Sequence, residues 1–469
     1  MYRYKTGEIR QQIRIISLEQ QIPELAVVRF IDIFVETLNM VELEFKYAET
    51  KDTGNKPYDP KDLLKLYIYG YFYGIRSSRK LETETKRNIE VRWLIHELSP
   101  DFKTISDFRK DNIDAIKKVF KSFTLLCQEQ ELIGGSTIGI DGTKVKAVNS
   151  PDKVYTKASI KKDKEYVDKK IEKYIKDLED SEENASEGQE PLKESIKGAI
   201  EKLKEKKERL IKIEEEIAKT GEQVAKTDKD CRIMKTRKGF DACYNIQTVV
   251  DSKHKLIVTY DVTNDCNDEE QLEPMVNKAQ EIIGNKEIEV LVDRGYRNAV
   301  QVESVEKNGA TVYMPEKDTR PGDFKYDKTT DSYTCMEGKT LKYESTFKQR
   351  GRHVKRYKCT DCKGCIKRDQ CTNSKTGRTI KVLKNQKIMD EVDKRTKRNP
   401  EKMKERSKIC EHPFGTIKQN MGFRYFLVKS LRKVQVEAGL VMLAYNIKRV
   451  VNILIEQKTI KNVLLLNTK

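Results

Sequence analysis

Two short apolar runs, each followed at once by an aspartate, most constrain how this chain can fold. The first, Ile138-Gly-Ile, ends at Asp141-Gly, and the second, Val290-Leu-Val, ends at Asp293-Arg-Gly. Short apolar runs bounded by turn residues predict buried strands. Because the end of a strand is held rigidly by the sheet, carboxylates at the ends of two strands can both face one crevice of an α/β sheet. The alternative is that each aspartate only caps the turn after it.

A third acidic residue, Glu411, stands before His-Pro-Phe-Gly-Thr-Ile-Lys418. Seven residues make about two helical turns, so Glu411 and Lys418 can lie on one face of a helix that Glu411 opens. Mg²⁺ prefers oxygen ligands, and two such ions can activate water and stabilise a leaving oxygen in phosphoryl transfer. The three carboxylates therefore predict a metal site, beside which Lys418 and Arg424 would grip phosphate. The alternative for Glu411 is a capping role before an ordinary surface helix.

The charge of the chain points to a polyanionic partner. Its 469 residues carry 93 Lys and Arg against 75 Asp and Glu, a net charge of +18. Such a chain often binds nucleic acid, although basic proteins can also be merely soluble. The excess is concentrated near the end, because residues 401–469 hold 14 basic and 5 acidic residues. We therefore expect the region around Glu411 to hold DNA against the metals.

Chain length bounds the number of domains, and hydropathy argues against a membrane-spanning or secreted protein. The length suggests two to four domains. No uninterrupted apolar stretch of about 18 residues occurs, so no membrane partner is expected. The first residues, Met1-Tyr-Arg-Tyr-Lys, are not followed by the long apolar run of a secretory signal. The expectation is a cytoplasmic, nucleoid-associated protein.

The first part of the chain has a helical pattern. Apolar residues recur with a helical period from residue 61 to 127, with breaks at Gly74 and Ser99-Pro100. We predict a helical DNA-binding domain over 1–130, in which the segment up to Arg109 is compatible with a helix-turn-helix. Plain helical packing is the alternative, because this part is nearly neutral. The basic side chains that could meet phosphates are Arg76, Arg79, Lys80, Arg109 and Lys110.

The remainder predicts a catalytic core over 131–450 and a tail over 451–469. Alternating patterns predict paired strands at 244–250 and 256–262, and a helix at 270–283. A charged insertion at 155–226, with 18 basic and 19 acidic residues, predicts an antiparallel helical hairpin broken at 181–191. Packing alone is the better interpretation of that hairpin.

Five cysteines cluster in a second predicted insertion, 310–385. The spacing of Cys359, Cys362 and Cys365 is that of metal ligands, and Cys335 or Cys371 could complete a tetrahedral zinc site. Five candidates for four places leave the ligand set open. Reduced structural cysteines are the alternative.

The combined motifs resemble the DDE transposases of bacterial insertion sequences. Their order along most of the chain is specific, although no single motif is. The N-terminal stretch from Tyr73 to Arg109 also resembles the helical domain that precedes the catalytic core in this family. The matching pieces of the core are Asp141-Gly-Thr-Lys144, Lys238-Gly-Phe240, Tyr244-Asn-Ile-Gln-Thr248, Gln271-Leu-Glu-Pro-Met275, Asp293-Arg-Gly-Tyr296, Glu411-His-Pro-Phe-Gly-Thr-Ile-Lys418 and Ala444-Tyr-Asn-Ile-Lys448.

The resemblance implies an α/β fold with an RNase H-like core, a mixed sheet flanked by helices, behind an all-α N-terminal domain. Asp141, Asp293 and Glu411 match the catalytic triad that holds two Mg²⁺ ions, for which Mn²⁺ could substitute. Lys144 is expected to contact DNA. Arg406 lies five positions before Glu411, which is close to the arginine that the family usually carries there.

The implied activity is cutting DNA at the ends of an insertion sequence and joining the 3′ ends to target DNA. The implied partners are the element's terminal inverted repeats, target DNA and at least a second copy of the chain. A catalytically silent DNA-binding protein and a nuclease without strand transfer are the alternatives.

Overall fold

The computed structural model describes residues 15–49, 56–183, 190–220, 223–316, 324–327, 329–349, 352–362, 364–374, 376–383 and 386–457. The fold is mixed α/β, with a helical N-terminal region followed by sheets and further helices. The helices are α1 Leu18–Gln21, α2 Val27–Glu36, α3 Pro60–Phe72, α4 Ser78–Arg87, α5 Ile89–Leu94, α6 Phe102–Asp111, α7 Ile113–Glu129, α8 Lys157–Glu183, α9 Glu190–Thr220, α10 Leu272–Ile283, α11 Ala299–Lys307, α12 Arg368–Cys371, α13 Gln386–Arg398, α14 Glu401–Gly415 and α15 Leu431–Glu456.

Thirteen strands lie in the described ranges and form three sheets. Short 3₁₀ turns at Pro151–Lys153 and Arg294–Tyr296, and a π-helical turn at Thr416–Asn420, complete the elements. The strands are β1 Thr137–Lys146, β2 Val154–Tyr155, β3 Val224–Ala225, β4 Arg232–Thr236, β5 Gly239–Asp251, β6 Ile257–Thr263, β7 Glu289–Leu291, β8 Thr311–Tyr313, β9 Lys325–Asp327, β10 Ser332–Thr334, β11 Thr340–Gln349, β12 Arg352–Cys359 and β13 Thr379–Leu383.

The central sheet has six strands. β5 is the longest strand of this sheet. It pairs antiparallel with β1 on one side and with β6 and β4 on the other. β7 joins β1 and β8 joins β7, both in parallel. The strand order is therefore β6-β5-β1-β7-β8, with β4 beside the first part of β5. Because β1 and β7 are parallel, the residues at their carboxyl ends lie at the same edge of the sheet.

The predicted end of the first strand was wrong. β1 continues past Asp141 to Lys146, because its pairing with β5 is unbroken from Ile138 opposite Asp251 to Lys146 opposite Cys243. Asp141 therefore lies within a strand that is hydrogen-bonded along its length. The predicted strand before Asp293 is present as β7, but it is shorter than the predicted 287–292 and ends at Leu291, two residues before Asp293.

Helix α15 ties the N-terminal helices to the sheet. It packs against α7, α3 and β6, and one contiguous hydrophobic core spans the N-terminal region and the central sheet. In the same core Phe120 of α7 meets Tyr260 of β6 edge-on, with ring centroids 4.9 Å apart. In the described part of the chain α15 is the one helix long and apolar enough to cross a membrane, and most of it is buried in this core.

The helix α15 also changes the predicted tail. It extends to Glu456, and Val451 and Ile453 are buried, so the start of the predicted tail 451–469 belongs to the core. Residues 458–469 lie outside the described residues.

The two insertions are built differently. Helices α8 and α9 pack on each other as the predicted hairpin. The predicted break at 181–191 is too wide, because α8 continues to Glu183 and α9 begins at Glu190; residues 184–189 lie outside the described residues. The short pair β2–β3 joins the two ends of the hairpin at its base. The second insertion holds the five-stranded sheet β13-β12-β11-β10-β9, with a small core around Leu341 and Tyr357. Since β8 belongs to the central sheet, this second sheet begins at Lys325 and not at residue 310.

Candidate active site

Asp141 lies in the middle of the central sheet, opposite Thr248 of β5. Its side chain is 23% exposed, and its Oδ1 accepts a hydrogen bond from the backbone N–H of Gly142 at 2.9 Å. Burial raises the pKa of this carboxyl to about 6; Arg406 partly offsets the effect and the charge of Asp293 adds to it. Asp141 is thus held in a position where its negative charge is costly unless a cation is near.

Asp293 faces the same edge of the sheet. The parallel register places Gly139 opposite Leu291, so Asp141 and Asp293, two residues further along each chain, follow at the same level. Asp293 caps the turn Arg294–Tyr296, and its Oδ1 accepts from the N–H of Gly295 at 2.6 Å. The capping alternative is therefore correct for one oxygen. The side chain remains 41% exposed and its other oxygen points to Arg406.

Arg406 joins the two aspartates. One terminal guanidinium nitrogen lies 3.3 Å from Asp141 Oδ1 and 3.9 Å from Asp293 Oδ2. The side chain is 17% exposed, and its buried Nε has no hydrogen-bond partner among the described residues. The structure therefore brings Asp141, Asp293 and Arg406 together around one positive charge.

Glu411 is brought near this cluster without joining it. Helix α14 crosses β1 closely at Gly139, where a Cβ would lie 2.7 Å from Cys410 Sγ. Burial and then the charge of Asp141 raise the pKa of the Cys410 thiol, and the charges of Asp293 and Glu411 add to the effect. The Glu411 side chain itself is exposed. Its predicted place was wrong in one respect, because α14 begins at Glu401 and Glu411 lies in its last third.

Lys418 reaches the site through an irregular helix. Pro413 lies inside α14, and the chain continues as the π-helical turn Thr416–Asn420. Single π turns recur at functional sites. This turn directs Lys418 to β1, where its Nζ donates to Thr143 Oγ1, two residues from Asp141. Burial, and then the nearby positive charge of Arg237, lower the pKa of Lys418.

The other predicted phosphate-binding residues of the core lie around Lys418. Arg424 is exposed and donates to Lys418 O at 3.2 Å and to Gln419 Oε1 at 2.7 Å. Lys144 lies 3.6 Å from a carboxylate oxygen of Asp268, so part of its charge is already balanced.

Asp268 is a site residue that the sequence patterns did not single out. Its Oδ1 accepts hydrogen bonds from Asn245 at 2.7 Å and from Gln247 at 2.6 Å, both on β5. It lies against the backbone of β1, since a Cβ on Gly142 would be 2.7 Å from that oxygen. Its charge contributes to the raised pKa of Asp141. The available signal was its place three residues before the Gln271 motif.

Tyr296 is a buried residue close to these carboxylates. It is fully buried and its hydroxyl donates to Gln247 Oε1. Burial raises its pKa well above the usual value, and the charges of Asp268, Asp141 and Asp293 add to the effect in that order. Tyr296 and Gln247 therefore form a buried hydrogen-bond chain that ends at Asp268, while Asp141 and Asp293 act on Tyr296 through their charges.

The donor set fits a divalent cation in chemistry. The two aspartates already share one cationic group, the Arg406 guanidinium, and every candidate ligand is a carboxylate oxygen, as Mg²⁺ prefers. Among the described residues, however, no three His, Cys, Asp or Glu side chains are gathered closely enough to hold a metal. Glu411, the third predicted ligand, has an exposed side chain, and its part in a metal site stays a prediction.

Two of the predicted N-terminal DNA contacts are wrong. Arg76 is buried and donates to Tyr425 O at 2.6 Å, and it lies 3.3 Å from Glu437. Arg109 points inward and donates to the Tyr71 hydroxyl at 3.0 Å. Both side chains are directed into the junction with α15 and not toward solvent.

The other three N-terminal candidates are exposed. Arg79 stacks over the ring of Phe102 at 4.0 Å, while Lys80 and Lys110 point outward. Their role in binding DNA stays a prediction.

The five clustered cysteines share one location. Cys335, Cys359, Cys362, Cys365 and Cys371 all line a cavity of about 170 Å³ at the end of the second sheet. Burial, and then a hydrogen bond with Cys362, raise the pKa of the Cys359 thiol to about 11. No closed set of ligands is present among the described residues, so zinc stays a prediction.

Comparison with known proteins gives two family matches. Residues 16–111 match a family described as a transposase domain (DUF772), and residues 334–451 match one described as a transposase DDE domain. The second match includes Arg406, Glu411 and Lys418. No curated protein matches the chain.

One solved structure is similar at a low level. It is the cryo-EM structure of a piggyBac transposase synaptic complex with hairpin DNA, which is 10% identical in sequence. The alignment covers 94% of this chain and 77% of that chain with a TM-score of 0.30. A similarity of this size carries no argument about the fold or the site.

Proposed function

We propose that this chain, which its two matched domains identify as a DDE transposase, cuts DNA at the ends of an insertion sequence and joins the freed 3′ ends to target DNA. One observation carries the proposal. Asp141 on β1 and Asp293, just after the parallel strand β7, share the single positive charge of Arg406, and Lys418 donates to Thr143, two residues from Asp141 on β1. Such an edge is suited to phosphoryl transfer, which needs divalent cations and fixed phosphate oxygens.

The strand order supports an RNase H-like core. In order of appearance among the five main strands, the sheet reads 3-2-1-4-5, with the second strand antiparallel to the first and the fourth and fifth parallel to it. This arrangement is a mixed sheet flanked by helices, and it places the first and fourth strands side by side. Asp141 lies in the first of these two strands, and Asp293 lies two residues after the end of the fourth.

Each residue of the site has a distinct task in the proposed reaction. Asp141, Asp293 and Glu411 would hold two Mg²⁺ or Mn²⁺ ions, with Glu411 turning inward from its exposed position. When bound, the ions supply activation of water or a 3′-hydroxyl and stabilisation of the leaving oxygen. Lys418 and Arg424 hold the DNA phosphate beside the carboxylates.

Arg406 and Asp268 support these groups. Arg406 balances the two aspartates when no metal is present, and its guanidinium group is of the kind that binds phosphate oxygens. Asp268 holds Asn245, Gln247 and Lys144 in place beside Asp141, so we assign it a positioning role.

The test uses the full-length protein and duplex DNA that carries the element's terminal inverted repeats, with Mg²⁺, Mn²⁺ or EDTA. Both strands are mapped for cleavage and for joining to a target plasmid. We expect cuts at the element ends followed by joining. Asp293→Asn should abolish cleavage, a loss of roughly 10³-fold or more, while DNA binding is retained. Asp152→Asn, which changes an exposed aspartate, is the matched control.

Each contrary result would indicate either a different function or a wrong assignment of the site. Binding without cleavage by the wild type would indicate a catalytically silent DNA-binding protein. Cleavage without joining would indicate a nuclease. Full cleavage by Asp293→Asn would refute the assignment of the site.

A further inference from the structure

A second basic surface lies outside the candidate active site. A cleft of about 590 Å³ opens between α9 and the segment that follows the hairpin, which includes β3 and the start of β4. Six basic residues line it: Lys206, Arg209, Lys212, Lys226, Lys229 and Arg232. The lining contains one acidic residue, Glu216.

This imbalance is unexpected for the hairpin. Residues 155–226 carry 18 basic and 19 acidic residues, so the segment as a whole is almost neutral. Three basic residues of the hairpin, Lys206, Arg209 and Lys212, recur at intervals of three and form one stripe along α9 that lines the cleft. The second wall adds three more basic residues from a different part of the chain. A solvated arm with no partner does not require such sorting.

The cleft is rigidly built at its base. β2 and β3 pair antiparallel, and the Lys226 N–H donates to Lys153 O at 2.9 Å. Leu210 and Ala225 are both buried. The hairpin is therefore anchored where the cleft lies, and the lysines on its rim have fixed backbone positions.

Several of these charges are available to a partner. Lys212, Lys226 and Lys229 are exposed, and the structure shows no ion pair for them within the residues it describes. Arg209, by contrast, pairs with Glu205 at 3.2 Å. These three lysines, which have no ion pair among the described residues, offer positive charge to a polyanion.

The cleft is connected to the candidate active site through the sheet. Arg232 on β4 lies opposite Cys243 on β5, which in turn lies opposite Lys146 on β1. Two strand spacings, about 10 Å, therefore separate Arg232 from the strand that carries Asp141. Duplex DNA that is cut at Asp141 and continues beyond the cleaved bond would extend past this edge of the sheet.

We propose that this cleft binds the phosphate backbone of duplex DNA that flanks the cleaved bond, without reading its sequence. The inference rests on the proposed function, because it concerns the same DNA. Lysines in a cleft contact phosphates as point charges, and each contact releases a counterion and increases the salt dependence of binding.

The test compares two triple variants of the full-length chain. Lys212→Gln, Lys226→Gln and Lys229→Gln together remove three charges from the cleft. Lys169→Gln, Lys173→Gln and Lys176→Gln remove three exposed charges from α8, outside the cleft, as the matched control. Binding of a 40-base-pair duplex of arbitrary sequence is measured by fluorescence anisotropy from low to high KCl.

We expect the cleft variant to bind about tenfold more weakly and to lower the salt slope by about three, while the control stays within about twofold of the wild type. A third variant with arginine at the three cleft positions should restore binding, which separates lost charge from lost folding. Equal binding by the cleft variant and the wild type, or equal loss in both glutamine variants, would overturn the inference. A wild type that binds no DNA would instead overturn the proposed function.

Discussion

Two clusters in this molecule combine arginine with a buried carboxylate, and they differ in how completely the carboxylate is satisfied. The junction cluster, formed by Arg76, Arg109 and Glu437, lies between the N-terminal helices and α15. Glu437 is 0% exposed, and one of its oxygens accepts from the N–H groups of Leu427 at 2.9 Å and Val428 at 3.3 Å. Its other oxygen meets Arg76 at 3.3 Å.

In the site cluster, formed by Asp141, Asp293 and Arg406, the carboxylates are less completely satisfied than in the junction cluster. Its contacts are 3.3 and 3.9 Å long, and the Arg406 Nε is buried without a partner among the described residues. In the junction cluster a carboxylate is enclosed by donors of the chain itself. In the site cluster two carboxylates share one cation and keep capacity for a ligand. The first arrangement stabilises a fold, and the second can exchange its cation.

The strongest test of this difference is to remove the junction carboxylate. Glu437→Ala leaves Arg76 and two backbone N–H groups buried without their acceptor. We expect the free energy of unfolding to fall by about 3–5 kcal/mol, as measured by urea denaturation. Glu456→Ala, at an exposed position of the same helix, is the control. A loss below about 1 kcal/mol would show that the junction is not closed in solution.

The next test removes the cation of the site cluster. Arg406→Gln should lower the rate of cleavage at saturating Mg²⁺ by roughly 10²-fold, because a donor to the phosphate is lost. It should also lower the Mg²⁺ concentration needed for half-maximal cleavage, because the guanidinium no longer competes for the two aspartates. Arg398→Gln changes an exposed arginine and serves as control. A variant that needs more Mg²⁺ than the wild type would contradict this competition.

The smallest expected effect concerns stability without metal. The pKa of Asp141 in the folded chain is about 6, above the 3.8 of an ordinary aspartate, so the folded state binds this proton more tightly than the unfolded state. The resulting stabilisation is fully present below pH 4 and is lost as the pH rises through 6.

In EDTA at pH 7, Asp141→Asn should therefore be more stable than the wild type by about 1–2 kcal/mol, and the difference should vanish near pH 4. Thermal unfolding at both pH values measures it, with Asp152→Asn as the reference. Equal stability at pH 7 would show that Arg406 fully compensates the buried charge.

The sequence predicted the elements better than it predicted the surroundings of single side chains. Apolar periodicity located α3 to α7, β5, β6, α10 and β7, because each element buries one face or both. It could not place the end of β1, since Gly142 and Thr143 resemble a turn and are kept in the strand only by their partners on β5.

The surroundings of the arginines were mispredicted for the same reason: they depend on residues that are distant in the chain. Arg76 and Arg109 look like phosphate ligands beside other basic residues, but Arg76 pairs with Glu437, 361 residues further along the chain, and Arg109 donates to the Tyr71 hydroxyl. Arg406 departs by position from the expected pattern, yet the crossing of α14 over Gly139 places it between the two aspartates. Asp268 stands in a loop with no periodic pattern, and only pairing in space with Asn245 and Gln247 identifies it.

The two ends of the charged hairpin join the rest of the fold side by side. Tyr155 and Val224 are direct partners across the β2–β3 pair, so the intervening helices begin and end within one strand spacing. An element attached in this way can be lengthened or shortened without moving β1 or β5. The length of the hairpin is therefore independent of the positions of Asp141 and Asp293 in the rest of the fold.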